Sequence, residues 1–186
     1  MSNNPKGETA KSIDWLTQQS NRAIAVTSPK TIIANAEDRL TTQITVGRMY
    51  LFAYDAKTKE DLPYWDKFPL IFPFQRVKGG FYGINMHYLP PLMRAKLMDQ
   101  LYALANNNNL DDTTKLRLSY KILDSASKFR FFKPCVKHYL NTQVRSRFLW
   151  VPAESWDRVL FLPLERFVGA NKQRVFSDSR RKIRGY

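Results

Sequence analysis

The apolar positions of this chain change period several times, and the changes predict the elements. Residues 1–12, MSNNPKGETAKS, are polar and contain a proline and a glycine, which predicts a flexible arm. From Ser12, SIDWLTQQSNRAIAV sets Ile13, Leu16, Ala23 and Ile24 in an imperfect helical stripe behind a possible capping serine. TSPKTIIANAEDRL fits a loop or a short docking segment, because Pro29 disfavours one helix running through it. At Gly47 the pattern becomes extended. GRMYLFAYD has apolar and aromatic residues on both alternating faces, the signature of a strand buried on two sides. KFPLIFPF is a second extended run, and its Pro69 and Pro73 lack amide donors, which predicts an edge strand or a bend. RVKGG then reads as a hairpin turn and FYGINMHYL as a third strand, giving an antiparallel meander.

Pro90 and Pro91 close that strand, and Pro91 suits the first turn of a helix. PLMRAKLMDQLYALA follows with Met93, Leu97, Leu101 and Leu104 at helical spacing, while Arg94, Lys96, Asp99 and Gln100 fall elsewhere on the wheel. After NNNN, Asp111 or Asp112 caps a second helix with Leu116, Tyr120 and Leu123 on one face. RSRFLWVP and RVLFLP read as two more strands around AESWD, a single helical turn with Trp156 tucked inward. The order predicts an α+β fold: a small antiparallel SH3-like β-barrel with an inserted helical hairpin and basic terminal arms. The expected organisation is an N-terminal arm over 1–46, one domain over 47–165 with the insertion at about 90–130, and a basic C-terminal arm over 166–186. That arm reads as a tail or as a helix formed with a partner.

Twelve Phe, nine Tyr and four Trp, within an apolar fraction of 44%, supply a packed interior and argue against wholesale disorder. No stretch approaches the roughly eighteen consecutive apolar residues of a membrane helix, so no membrane partner is expected, and the first residues lack a secretory pattern. The single cysteine, Cys135, excludes an internal disulfide and a thiolate metal cluster. Charge carries the strongest functional signal. The net charge of +14 comes wholly from two segments: residues 115–150 hold nine lysines and arginines against one acid, Asp124, and residues 166–186 hold seven against one, Asp178. Two basic blocks beside a neutral body point to a polyanion or an acidic protein surface. A solvated basic face with no dedicated partner is the alternative.

Within the first block, Lys128, Arg130, Lys133, Lys137, Arg145 and Arg147 interleave with Phe129, Phe131, Phe132, Tyr139 and Phe148. Cations there would meet phosphates while rings stack on bases or, equally, pack as core. At the other end Arg180, Arg181, Lys182 and Arg184 form an arm suited to salt-dependent, sequence-independent binding. These ten residues are the candidate nucleic-acid or partner-binding set. His87 is a weaker candidate for catalysis. A nuclease reading would join it to Asp55 and Asp66 in the preceding loops, but no catalytic or metal-binding motif accompanies them, and a histidine bonded at a strand-to-helix joint is the favoured reading. No enzyme, metal or cofactor is therefore expected. Gly79, Gly80 and Gly83 precede a strand and lack a following GK[ST], so they serve turns and close packing rather than phosphate binding. Cys135 has Lys133, Lys137 and His138 nearby in sequence, which would activate a thiol, although a small buried residue is the commoner case.

In their order, GRMYLFAYD, LPYWDKFPLIFPF, GGFYGINMHYLPPLMRAKLMD and SRFLWVPAESWDRVLFLPLERF resemble a virion-associated structural protein of T-even-like myophages, of the DNA end protector type. The resemblance spans residues 47–182 and lies in aromatic and proline blocks, not in a catalytic motif, so it transfers no active-site residue. It implies a bacteriophage virion protein that binds the ends of packaged double-stranded DNA, near the head-tail junction. Other virion proteins, in a symmetric assembly, would be further partners. The alternative is a neck, tail or baseplate adaptor with no DNA contact.

Overall fold

A computed structural model describes residues 28–185; residues 1–27, with the helix expected from Ser12, and Tyr186 lie outside the described residues. The strands are β1 (Leu40–Thr41), β2 (Met49–Leu51), β3 (Trp65–Asp66), β4 (Leu70–Val77), β5 (Gly80–Asn85), β6 (Val136–Leu140), β7 (Phe148–Val151) and β8 (Phe167–Val168). The helices are α1 (Pro29–Ala34), α2 (Pro91–Ala105), α3 (Asp112–Lys128), α4 (Trp156–Phe161) and α5 (Lys172–Arg184). Six strands pair antiparallel in the order β1-β7-β2-β4-β5-β6, and β3 pairs with β8 in a second small sheet. The fold is α+β. The expected SH3-like barrel is replaced by an open sheet, because β1 and β6 are its edges and do not pair with each other. The strand expected at RVLFLP is also absent: Trp156 and Leu160, four residues apart, are both buried on one face of α4, and the Trp156 indole N–H donates to Val151 O at 2.9 Å.

Alternation along the strands sorts the core into two clusters. Met49, Leu51, Leu70, Phe72, Ile84, Leu149 and Val151 share one face with residues from all five helices. Tyr50, Phe52, Ile71, Phe81, Tyr139 and Phe148 share the other, where the Phe52 ring packs edge-on against Phe148 at 4.9 Å and Tyr139 at 5.5 Å between centroids. The two-sided burial expected for β2 is present, with all three of its residues buried.

Pro69 and Pro73 place no edge here: β4 lies between β2 and β5. The reason is local. β2 pairs only with Leu70 and Ile71, so Pro69 precedes that ladder and Pro73 lies beyond it, and the register shifts between Pro73 and Gln75. The expected bend is this bulge. The third strand stops at Asn85, whose side-chain oxygen accepts the His87 backbone N–H at 3.0 Å and turns Met86–Tyr88 into a 3-10 turn. α2 begins at Pro91 as expected, with Leu97, Leu101 and Leu104 buried, but Arg94 is fully buried instead of facing outward. Asp111 caps α3 by accepting Thr114 N–H at 2.9 Å. Its buried face is Ser119, Leu123 and Ala126, and Tyr120 is 42% exposed. Small side chains let α3 sit close to the sheet. Gly47, at φ 90°, approaches so near that an added Cβ would stand 3.3 Å from Leu116 O.

Gly80 tests the β5–β6 pairing directly, since a Cβ there would fall 2.1 Å from Tyr139 O, whereas at Gly79 (φ 77°) it would meet nothing. Gly80→Ala should lower unfolding free energy by roughly 3 kcal/mol and Gly79→Ala by roughly 1–2 kcal/mol, compared by urea denaturation.

Candidate functional site

The second basic block is not a loose tail. α5 starts at Asn171, whose side chain accepts Arg174 N–H at 2.9 Å, and ends at Gly185 with φ 88°. Val175 and Ser179, one helical turn apart, are buried against the body, and the helix packs on the 3-10 segment Arg130–Cys135 from the first block. The Arg130 guanidinium occupies the space beside Gly185, where a Cβ would lie 1.3 Å from its Nη2. A cation at that position also favours the negative end of the helix dipole.

Docking of α5 therefore merges the two blocks over part of their length. Arg130, Lys133, Arg180, Arg181, Lys182 and Arg184 are exposed on or beside the packed pair, and Lys128 stands at the end of α3 where that segment begins. Lys128 is partly neutralised by Asp124 at 2.7 Å and Arg181 by Asp178 at 2.5 Å. Lys137 is half-buried on β6, and its pKa is lowered to about 8 by burial and then by the charge of Lys182 on α5. Arg145 and Arg147 stand apart. They line a groove of about 830 Å³ with Arg76, Gly80, Phe81 and Phe148, and Arg145 donates to Thr142 O and Gln143 Oε1. Of the interleaved rings, Phe132, Tyr139 and Phe148 are core, and Phe129 is 63% exposed.

His87 is fully buried. Its Nδ1 is 2.8 Å from Asp66 Oδ2, which also accepts Asn85 Nδ2 at 3.1 Å; Asn85 Nδ2 reaches the Tyr139 hydroxyl at 3.0 Å. Asp55 is far more open and pairs with Lys59 at 2.6 Å, so the three residues of the nuclease reading do not share one solvent-facing cluster. Among the described residues no group of three or more His, Cys, Asp or Glu side chains is placed to hold a metal ion. Cys135 is buried, and burial pushes its thiol up to about 12. The neighbouring cations do not overcome that.

A family profile described as "Phage T4 terminal DNA protecting protein" matches residues 2–183. The chain belongs to this family. No curated protein and no solved structure matches the chain. The terminal DNA protecting family is not a known enzyme family, and it associates the chain with bacteriophage DNA protection.

Sequence periodicity missed one buried polar group. Arg94, fully buried, donates to Leu89 O at 2.8 Å, to Leu160 O, and to the Glu165 carboxylate. Burial alone would raise the Glu165 pKa, but Arg94 and then His87 outweigh it and hold the carboxyl below its ordinary value. A depressed folded pKa means that this stabilisation is present above the unfolded carboxyl pKa and is lost as pH falls through the folded value. Glu165→Gln should therefore cost roughly 3–5 kcal/mol at neutral pH and flatten the acid limb of stability, measured by denaturant titrations from neutral to acid pH. Cys135 should resist thiol reagents in the folded protein and react on unfolding, read by mass spectrometry.

Proposed function

We propose that this protein binds the ends of linear double-stranded DNA through the surface where α5 meets the Arg130–Cys135 segment, and thereby shields those ends from exonucleases. The observation that supports this most is the meeting of two basic blocks, far apart in sequence, on one face of a chain from the terminal DNA protecting family. Clustered cations neutralise phosphates and release counterions, which gives strong affinity with little base preference. That suits a protein required to cover an end whatever its sequence. The same role places the protein in the virion or on phage DNA in the host, with DNA as its principal partner.

Arg145 and Arg147, with Arg76, offer a second set of cations along the groove for a longer stretch of backbone. A neck, tail or baseplate adaptor without DNA contact is the competing reading, and it predicts indifference to DNA even at low salt.

Linear duplex should bind with an affinity that falls steeply with salt, and bound protein should protect it from an end-dependent exonuclease. Replacing the exposed Arg180, Lys182 and Arg184 by Gln should reduce the slope of log K against log salt by about 3. Absence of binding at low salt, or an unchanged slope with a folded variant, would remove this reading.

A further inference from the structure

A surface of cations cannot tell a duplex end from a duplex interior, because both present the same backbone phosphates. End preference needs a feature that reads something present only at a terminus. Two such things exist: an unstacked terminal base and a terminal phosphomonoester, which carries about −1.5 to −2 charges near neutral pH where an internal phosphodiester carries one.

A pocket of about 360 Å³ opens between the 54–66 loop, Tyr88 and β6, lined among others by Tyr64, Trp65, Tyr88, Tyr139, Asp66 and Lys137. Its size lies at the lower end of the roughly 300–1,000 Å³ typical of small-molecule sites, so it admits a single nucleotide and excludes a duplex. Its position relates it to the basic surface. Tyr64, at the pocket wall, hydrogen-bonds Asp178 of α5, and α5 packs on the Arg130–Cys135 segment that runs directly into Val136 and Lys137 of the pocket lining.

The chemistry inside is unbalanced in one direction. The Lys137 ammonium lies 3.9 Å from the centre of the Tyr88 ring, and among the described residues no carboxylate is within ion-pairing distance of it. Its pKa is lowered first by burial and then by repulsion from Lys182. Asp66 also lines the pocket, but its carboxylate oxygens accept from His87, Asn85 and the Phe68 backbone N–H. Tyr64, half-buried, is the ring of the wall open enough to stack on a base of any sequence, while the buried Trp65 and Tyr88 shape the wall behind it.

We infer that this pocket receives the terminal nucleotide of a DNA strand, with Lys137 holding its terminal phosphate and Tyr64, Trp65 and Tyr88 bounding its base. The inference rests on the proposed DNA-end function and adds to it the device that selects ends.

The experiment compares three short duplexes of equal length at one low salt concentration: blunt with 5′-phosphates, blunt with 5′-hydroxyls, and closed at both ends by hairpins. The intact protein should prefer the phosphorylated end over the hydroxyl end by roughly tenfold, the scale of one charge-assisted contact. In Lys137→Met, which keeps an unbranched chain over Tyr88, that ratio should fall to about one. A second measurement needs no variant: acylation of Lys137 by an amine-reactive reagent, followed by mass spectrometry, should be slowed by the phosphorylated duplex far more than by the other two. Equal affinity for phosphorylated and hydroxyl ends, a preference that survives in folded Lys137→Met, or equal shielding by all three duplexes would overturn the pocket assignment while leaving DNA binding intact. Failure to bind any of the three duplexes would overturn the proposed function itself, and the pocket's role with it.

Discussion

A guanidinium sealed from water must find its acceptors inside the protein, and in this fold Arg94 finds them on three separate segments. It joins the first turn of α2 to Leu89, to the carbonyl of Leu160 in α4, and to Glu165 just before β8. β8 pairs with β3, β3 carries Asp66, Asp66 holds His87, and the 3-10 turn containing His87 leads back to Leu89. The result is a closed circuit of polar contacts through the main core. Removing any one partner strands a buried charge or donor, which costs more than the intact set contributes. The same circuit sets the small β3–β8 sheet and holds Asp66 at the aromatic pocket, so the geometry of the proposed site depends on a salt bridge outside it.

Much of the chain was legible because local rules and tertiary packing agree. β2 has apolar side chains on both faces, α2 has a proline at its first position, and α3 has an aspartate cap; each of these elements lies where its sequence predicts. The failures share a cause, in that tertiary partners overruled a local pattern. Arg94 reads as a solvent residue because nothing near it in sequence announces Glu165, its partner across |i−j| = 71. The apolar run RVLFLP is compatible with a strand until Trp156 is counted in, four residues before Leu160, and then the helical spacing is visible. β6 was hidden inside a segment whose charges drew attention away from the alternation of Val136, His138 and Leu140 with Lys137 and Tyr139. For the candidate surface, sequence supplied the cations but not their meeting, since α5 fully buries only Val175 and Ser179 and packs Ile183 part-buried on the core, a stripe too short to stand out among the charges.

Gathering like charges on one face has an energetic consequence. Lys137 and Lys182 oppose each other, and only some of the neighbouring cations, such as Lys128 and Arg181, have a carboxylate beside them. That arrangement costs stability in the free protein and is relieved by a polyanion. A ligand that binds only the folded state then stabilises it by mass action. On the proposed surface, complex formation and fold stability would be coupled through the same side chains.

The position of β7 bears on how the chain reaches this state. Strands β2, β4 and β5 are neighbours in the sheet, with only the short β3 between β2 and β4 in the chain, and can zip as a meander, yet β7 enters between β1 and β2, pairing Leu40 with Leu149 and Met49 with Val151. Until residues 148–151 arrive, β2 keeps a bare edge of amides and carbonyls, and β1 has nothing to join. Closing so long a loop before the contact rewards it makes folding slow and leaves a template for pairing between chains. Insertion of β7 is therefore the step before which a newly made chain is most open to pairing with another.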